Sequence, residues 1–88
     1  MYKRQGLVIR ERQTIPFGKP VWSTAGNVLA GDRVTFRDSV PGLPSTIMVR
    51  EQRYDEAQDR MVLVTAGGLE YYAWRTTAVI IYRPRVAL

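Results

Sequence analysis

Asp55, Glu56 and Asp59 are three carboxylates clustered within five residues. Paired carboxylates can do acid–base work or hold a metal. These three fall in a short polar stretch between two apolar runs, which reads as a solvated hairpin tip. The calcium-loop spacing, with glycine at its sharp bend, is absent. Histidine and cysteine are missing from all 88 residues. There is then no imidazole base or ligand, no thiol nucleophile, no thiolate metal site and no disulfide. The serines and threonines have no candidate base beyond Lys19 and scattered carboxylates. Gly67-Gly68 lacks the following helix and the Lys-Ser/Thr of a phosphate loop. The chain is expected to be non-catalytic, with no cofactor, no metal and no small-molecule substrate.

Two features speak for binding instead. Tyr71-Tyr72-Ala73-Trp74 is the densest aromatic cluster. It reads as a face that stacks on a base or grips a peptide. In the structural alternative, Tyr71 and Trp74 complete a small core and Tyr72 covers its outside, since a small core needs the area of aromatic rings. Arg33, Arg37, Arg50, Arg53, Arg60 and Arg75 form a second group, with Tyr54 or Tyr72 interleaved. Single-strand nucleic-acid binders combine charge with stacking platforms in this way. Asp32, Asp38, Glu51, Asp55, Glu56 and Asp59 are interspersed and dilute the field a phosphate backbone would feel. Thirteen basic residues against eight acidic ones give a net charge of +5, and 11 of the 13 are arginine. That bias fits phosphate or carboxylate recognition, and equally the codon usage of a GC-rich genome. The residues expected at a binding surface are Arg50, Tyr54, Tyr72, Trp74 and Arg75.

The elements that must position these residues are strands. An apolar fraction of 45% is that of a globular chain rather than a disordered one. A chain of this length buries only roughly 60–65% of its unfolded surface. No apolar run approaches the ~18 residues of a membrane-spanning helix. Residues 6–30 carry Pro16, Gly18, Pro20 and Gly26, which disfavour regular structure. They read as an extended arm with one short strand at Leu7-Val8-Ile9-Arg10 and a two-residue apolar island, Val21-Trp22. After the Gly31-Asp32 turn signal, residues 33–37 alternate polar and apolar as a half-buried strand. Residues 38–44 are a loop broken by Pro41, Gly42 and Pro44. Residues 45–54 form a long strand with Ile47 and Val49 on one face and Met48, Arg50, Gln52 and Tyr54 on the other. Residues 60–65 form a strand whose run Met61-Val62-Leu63-Val64 suits one covered on both faces or a barrel stave. Gly67-Gly68 is a hairpin signal. In the partner strand, 69–74, Leu69, Tyr71 and Ala73 share one face and Glu70, Tyr72 and Trp74 the other. Arg75-Thr76-Thr77 suits a 3₁₀ turn. Residues 78–82 are a last strand, ended by Pro84. No α-helix of any length is expected.

Five strands in so short a stretch must curl to bury one face, and a small barrel is the usual solution. The order from Gly31-Asp32-Arg33-Val34-Thr35-Phe36, through the Gly67-Gly68 hairpin, to Trp74-Arg75 and Val79-Ile80-Ile81-Tyr82 resembles the SH3-like small barrels of the Tudor and KOW kind. The resemblance spans roughly residues 28 to 83. It implies an all-β, five-stranded SH3-like barrel over 28–88, behind an extended N-terminal arm over 1–27. Two departures stand out. The proline-bearing loop after the first strand is longer than a KOW motif has. A methyl-lysine cage of the Tudor sort needs converging aromatics, for which only Tyr54, Tyr72 and Trp74 are available. A pocket of the usual ~300 Å³ or more is hard to fit inside such a barrel.

Met1-Tyr2-Lys3-Arg4-Gln5 resembles the translated end of a transposon adaptor from sequencing libraries, with GTG read as the start. Without Lys3 and Arg4 the balance is 11 basic to 8 acidic, a net of +3. The native start then lies upstream or at a Val or Leu codon such as Val21 or Val28. The start shows no secretory pattern, so a cytoplasmic location is expected. The expected function is a protein-binding module, an accessory or structural part of a larger bacterial or phage protein or assembly. A nucleic-acid-binding barrel is the runner-up. With Phe36 in the core, Phe36→Ala is expected to cost roughly 3–5 kcal/mol in chemical denaturation. A loss near zero would place Phe36 at the surface.

Overall fold

The computed structural model describes residues 13–38, 41–42 and 44–85. The adaptor-like residues 1–5 and the short strand read at Leu7-Val8-Ile9-Arg10 lie outside the described residues. The six strands are β1 (Val21–Thr24), β2 (Arg33–Phe36), β3 (Thr46–Asp55), β4 (Arg60–Thr65), β5 (Glu70–Trp74) and β6 (Ala78–Tyr82). They form one antiparallel sheet in the order β1-β6-β2-β3-β4-β5. The all-β class is as expected, and the described residues contain no α-helix. The structure differs from the expected five-stranded barrel in two respects. The described residues form six strands, and their sheet does not close, so β1 and β5 are its two edges.

The alternation read in the sequence explains β2. Val34 is fully buried and Phe36 packs against the core, while Arg33 is exposed on the other face. All four apolar residues of β4 are buried, which is why that strand lacks alternation. Met61 and Leu63 belong to the main core. Val62 and Val64 point the other way. Val62 is paired with Arg53 on one side and Tyr72 on the other, and such long side chains can shield an outer valine with their stems.

β3 continues through both halves of the sheet. Its first residues pair with β2 and the rest with β4. Between Val49↔Thr65 and Glu51↔Val64 the register slips by one, leaving Arg50 as an extra residue. A bulge of this kind bends a strand and increases its twist. It also reverses the side-chain phase, because paired residues share a face. Gln52 and Tyr54 therefore stand on the core side, opposite Leu63 and Met61. The sequence alternation had put them on the outer face with Met48. The bend folds the two halves together until the Phe36 ring of β2 stacks on the Tyr71 ring of β5, with centroids 5.6 Å apart and planes 14° from parallel.

The segment read as an arm supplies β1, which pairs along its whole length with β6. Pro20 immediately precedes the strand, a position at which proline is tolerated. Ile15 and Ala25 are buried in the core. The 3₁₀ turn is at Ala25–Asn27. At residues 75–77, where one was expected, a simple turn is closed by the Thr77 N–H donating to the Trp74 carbonyl. Gly26 lets the 3₁₀ turn dock. Its N–H donates to the Arg75 carbonyl at 2.9 Å, and a Cβ there would lie 3.1 Å from that oxygen.

Asp32, read as half of a turn signal, is 1% exposed. Its carboxylate accepts two bonds from Arg83, from Nε at 2.8 Å and Nη2 at 2.9 Å, and one from the Leu29 N–H at 2.9 Å. Arg83 Nη2 also donates to the Asn27 carbonyl. The hydrogen bond to Asp32 holds the Arg83 guanidinium above its ordinary pKa, against a smaller opposing effect of burial. A raised value means that this contribution to stability is complete at neutral pH and is lost only as pH rises through the arginine's own range. Asp32→Ala would leave a mostly buried cation without its partner. It is expected to destabilise the fold by about 3–5 kcal/mol in urea unfolding. A loss under about 1 kcal/mol would mean that Arg83 finds water instead.

Candidate functional site

β5 is an edge strand, and a groove of about 680 Å³ runs along it. All five β5 residues line the groove, whereas β4 contributes only Arg60. The groove thus flanks the edge that faces away from β4. Its far wall is formed by Phe36, Arg37 and Asp38, by Pro44 and Ser45, and by Thr77 and Ala78. The stacked Phe36 and Tyr71 rings bridge the two walls. The volume lies within the range of ligand sites. No such space was expected inside a small barrel. The open edge provides it outside the core.

The phase of the β4–β5 ladder determines which β5 backbone groups face the groove. The Thr65 N–H donates to the Leu69 carbonyl at 2.9 Å. Hydrogen-bonded and non-hydrogen-bonded pairs alternate along an antiparallel ladder. With Leu63 opposite Tyr71 and Met61 opposite Ala73, those two pairs carry the interstrand bonds. The backbone groups of Glu70, Tyr72 and Trp74 then point outward. The Trp74 carbonyl is used by the Thr77 N–H. Three outward N–H groups and the carbonyls of Glu70 and Tyr72 have no hydrogen-bond partner among the described residues. The other edge differs. At β1 the Gln13 side-chain amide donates to the Trp22 carbonyl and the Gln13 N–H donates to the Asn27 side chain.

Of the five residues expected at a binding surface, two meet in the groove. Tyr72 and Trp74 stand side by side on the outer face of β5, 52% and 63% exposed. Trp74 is therefore no part of the core, and of the Tyr71/Trp74 pair only Tyr71 packs inward. The Tyr72 hydroxyl donates to Glu70, which raises its pKa. The Arg60 guanidinium sits 3.9 Å from the centre of the Tyr72 ring and is paired with Asp55.

Tyr54 and Arg75 converge elsewhere, on Asp59. The Tyr54 hydroxyl donates to that carboxylate, which raises the tyrosine pKa, and Arg75 Nε lies 3.5 Å from the same oxygen. Tyr54 shares the face of Met61, whereas Tyr72 shares that of Val62. The three rings named for a cation cage are thus divided between two faces. Arg50 stands at the bulge, its guanidinium 3.4 Å from the Ala66 carbonyl. Arg33 packs over Tyr82 on the β2–β6 side, while Arg53 pairs with Glu70. The arginines do not form one stripe.

The groove wall over 36–38 and 44–45 was missed as a site, because residues 33–37 and 45–54 were read only as strands and the proline- and glycine-bearing 38–44 only as a loop. Arg60 and Glu70 are already engaged with neighbours. No protein-family model, no curated protein and no solved structure matches this chain.

The hydroxyl of Tyr71 is buried without a hydrogen-bond partner among the described residues. A buried unsatisfied hydroxyl costs about 1–3 kcal/mol. Tyr71→Phe keeps the ring stack and removes that cost. Thermal or urea unfolding is expected to show unchanged or higher stability, by up to about 1 kcal/mol. A clear loss would reveal a partner for the hydroxyl.

Proposed function

We propose that this chain is a non-catalytic interaction module of the SH3-like small-barrel kind, and that it binds another protein through the groove along β5. The reading extends to an accessory or structural role in a larger bacterial or phage protein or assembly. The observation that carries it is the coincidence, on one edge, of two exposed aromatic rings, a groove of about 680 Å³ and unpaired backbone groups. Tyrosine and tryptophan are the residue types enriched where proteins meet. The barrel part of the reading is supported by the run β6-β2-β3-β4-β5 and by the fold-over that stacks Phe36 on Tyr71. It corresponds to five strands curled around one core, with β1 added at the end.

The nucleic-acid reading is the weaker one. Arg53, Arg60 and Arg75 each face a carboxylate within 4 Å, and Arg33 belongs to a different part of the sheet. Of the two arginines lining the groove, Arg60 is paired with Asp55 and Arg37 adjoins Asp38, so little net charge is left beside the aromatic rings to engage a phosphate backbone.

Trp74→Ala tests the proposal. As a surface change it is expected to shift stability by no more than about 0.5 kcal/mol. Capture of clones from a phage-displayed library of bacterial genomic fragments is expected to depend on Trp74, and to be nearly insensitive to salt. Capture that ignores Trp74 would overturn the reading. Tight binding of a labelled single-stranded oligonucleotide that falls steeply with added salt would replace it with the runner-up.

A further inference from the structure

We propose that the partner engages this groove with an extended stretch of its own chain, which adds to β5 as a seventh strand of the sheet. This rests on the protein-binding reading above and specifies its chemistry. The outward N–H groups of Glu70, Tyr72 and Trp74 and the outward carbonyls of Glu70 and Tyr72 repeat every second residue along β5. That spacing, ~6.6 Å, is the repeat of an extended polypeptide backbone. Such a row is complemented by another strand, and edge strands that bind peptides work in this way.

β5 lacks the usual guards of an edge. It contains no proline, no lysine and no bulge, which are the common means of blocking strand addition. Its one charged side chain, Glu70, is occupied by the Tyr72 hydroxyl and by Arg53. β1, the opposite edge, has Pro20 at its start and Gln13 on its Trp22 carbonyl. The two edges are thus treated differently by the same sheet.

The walls define the occupant further. Alternate side chains of an added strand fall on opposite faces. One set meets the apolar Phe36–Tyr71 stack, and the other lies beside the rings of Tyr72 and Trp74. Arg37 and Asp38 on the far wall are of opposite sign and adjacent, so neither charge is favoured. The fitting ligand is a short extended segment, apolar at alternate positions, with no proline where its N–H must reach β5. A second copy of the chain fits less well, because its own β5 would bring the attached β4 against the far wall.

The experiment uses the full chain. A phage-displayed library of random dodecapeptides is selected on the protein and counter-selected on Trp74→Ala. The most enriched peptide is then titrated while amide exchange is followed by NMR. The expected result is that the amides of Glu70, Tyr72 and Trp74 slow by about tenfold or more, and that the same peptide N-methylated at alternate positions does not bind. Tyr72→Pro removes an N–H that the β4–β5 ladder does not use, so it is expected to unfold cooperatively and to bind the peptide at least about tenfold more weakly. Should that variant fail to fold, the N-methylated peptide decides alone.

A peptide that perturbs the Tyr72 and Trp74 rings without slowing those amides, or that tolerates N-methylation, overturns the seventh strand and leaves the groove reading standing. A failure to enrich any peptide overturns the seventh strand, and a simultaneous failure of the genomic-fragment capture removes the groove reading as well. A concentration-dependent doubling of mass that protects the same amides without peptide overturns the proposal in favour of self-association.

Discussion

One extra residue in β3, Arg50 at the bulge between Val49 and Glu51, sets the shape of this molecule. β3 is the only strand that pairs with both halves of the sheet, β2 on one side and β4 on the other. A straight ten-residue strand would hold those halves in one plane. Met61, Leu63 and Tyr71 would then have nothing to cover them. The bulge bends the strand and reverses its phase. The inner faces of the two halves then share one core, and Phe36 meets Tyr71. The sheet folds over far enough to bury its apolar face but not far enough to pair β5 with another strand. The groove is the gap that remains. Core formation and the open edge are thus two results of the same bend.

The second constraint is polar. Asp32 and Arg83 join the start of β2 to the chain just beyond β6, and through Leu29 and Asn27 they fix the connection that precedes β2. A small apolar core is tolerant of sliding, whereas a bidentate carboxylate–guanidinium pair is not. The backbone of Asp32 also accepts from the Val49 N–H, next to the bulge. The clamp therefore holds the β2–β3 register at the place where the strand begins to bend. The cost of burying the carboxylate is offset by three hydrogen bonds to it, the usual condition for a buried charge.

Much of the fold was legible because period-two alternation is a direct image of a half-buried strand. β4 and β6 have the expected bounds, β2 and β5 each differ by one residue at one end, and β3 is shifted by one residue at both ends. Three things were not legible, each for a physical reason. β1 was hidden because Val21-Trp22-Ser23-Thr24 is only four residues long, with too short an apolar pair to show alternation, and the prolines and glycines around it dominate the local signal. Its pairing with β6 is a tertiary event. The bulge was invisible because Arg50-Glu51-Gln52-Arg53 are all polar and carry no alternation from which a change of phase could be read. Only the pairing with β4 shows that the phase has changed. The role of Asp32 was masked by its neighbour, since Gly31-Asp32 is a turn signal whether or not the carboxylate is buried. Its partner lies 51 positions away. The site was legible in part. Tyr72 and Trp74 were found because aromatic density is a local property. The groove beside them depends on a loop and on an unpaired edge, which only the topology reveals.

The addition of a partner strand depends on β5 being an unpaired edge with its outward groups at Glu70, Tyr72 and Trp74. Amide hydrogen exchange on the free protein measures that property residue by residue. The expected result is an alternation along β5. The amides of Tyr71 and Ala73 should be protected by the ladder to β4, and that of Tyr72, between them, should exchange about a hundredfold faster or more. Equal protection at Tyr71, Tyr72 and Ala73 would contradict this, because it would mean that β5 already has a strand on its other side and that no open edge exists for a partner to use.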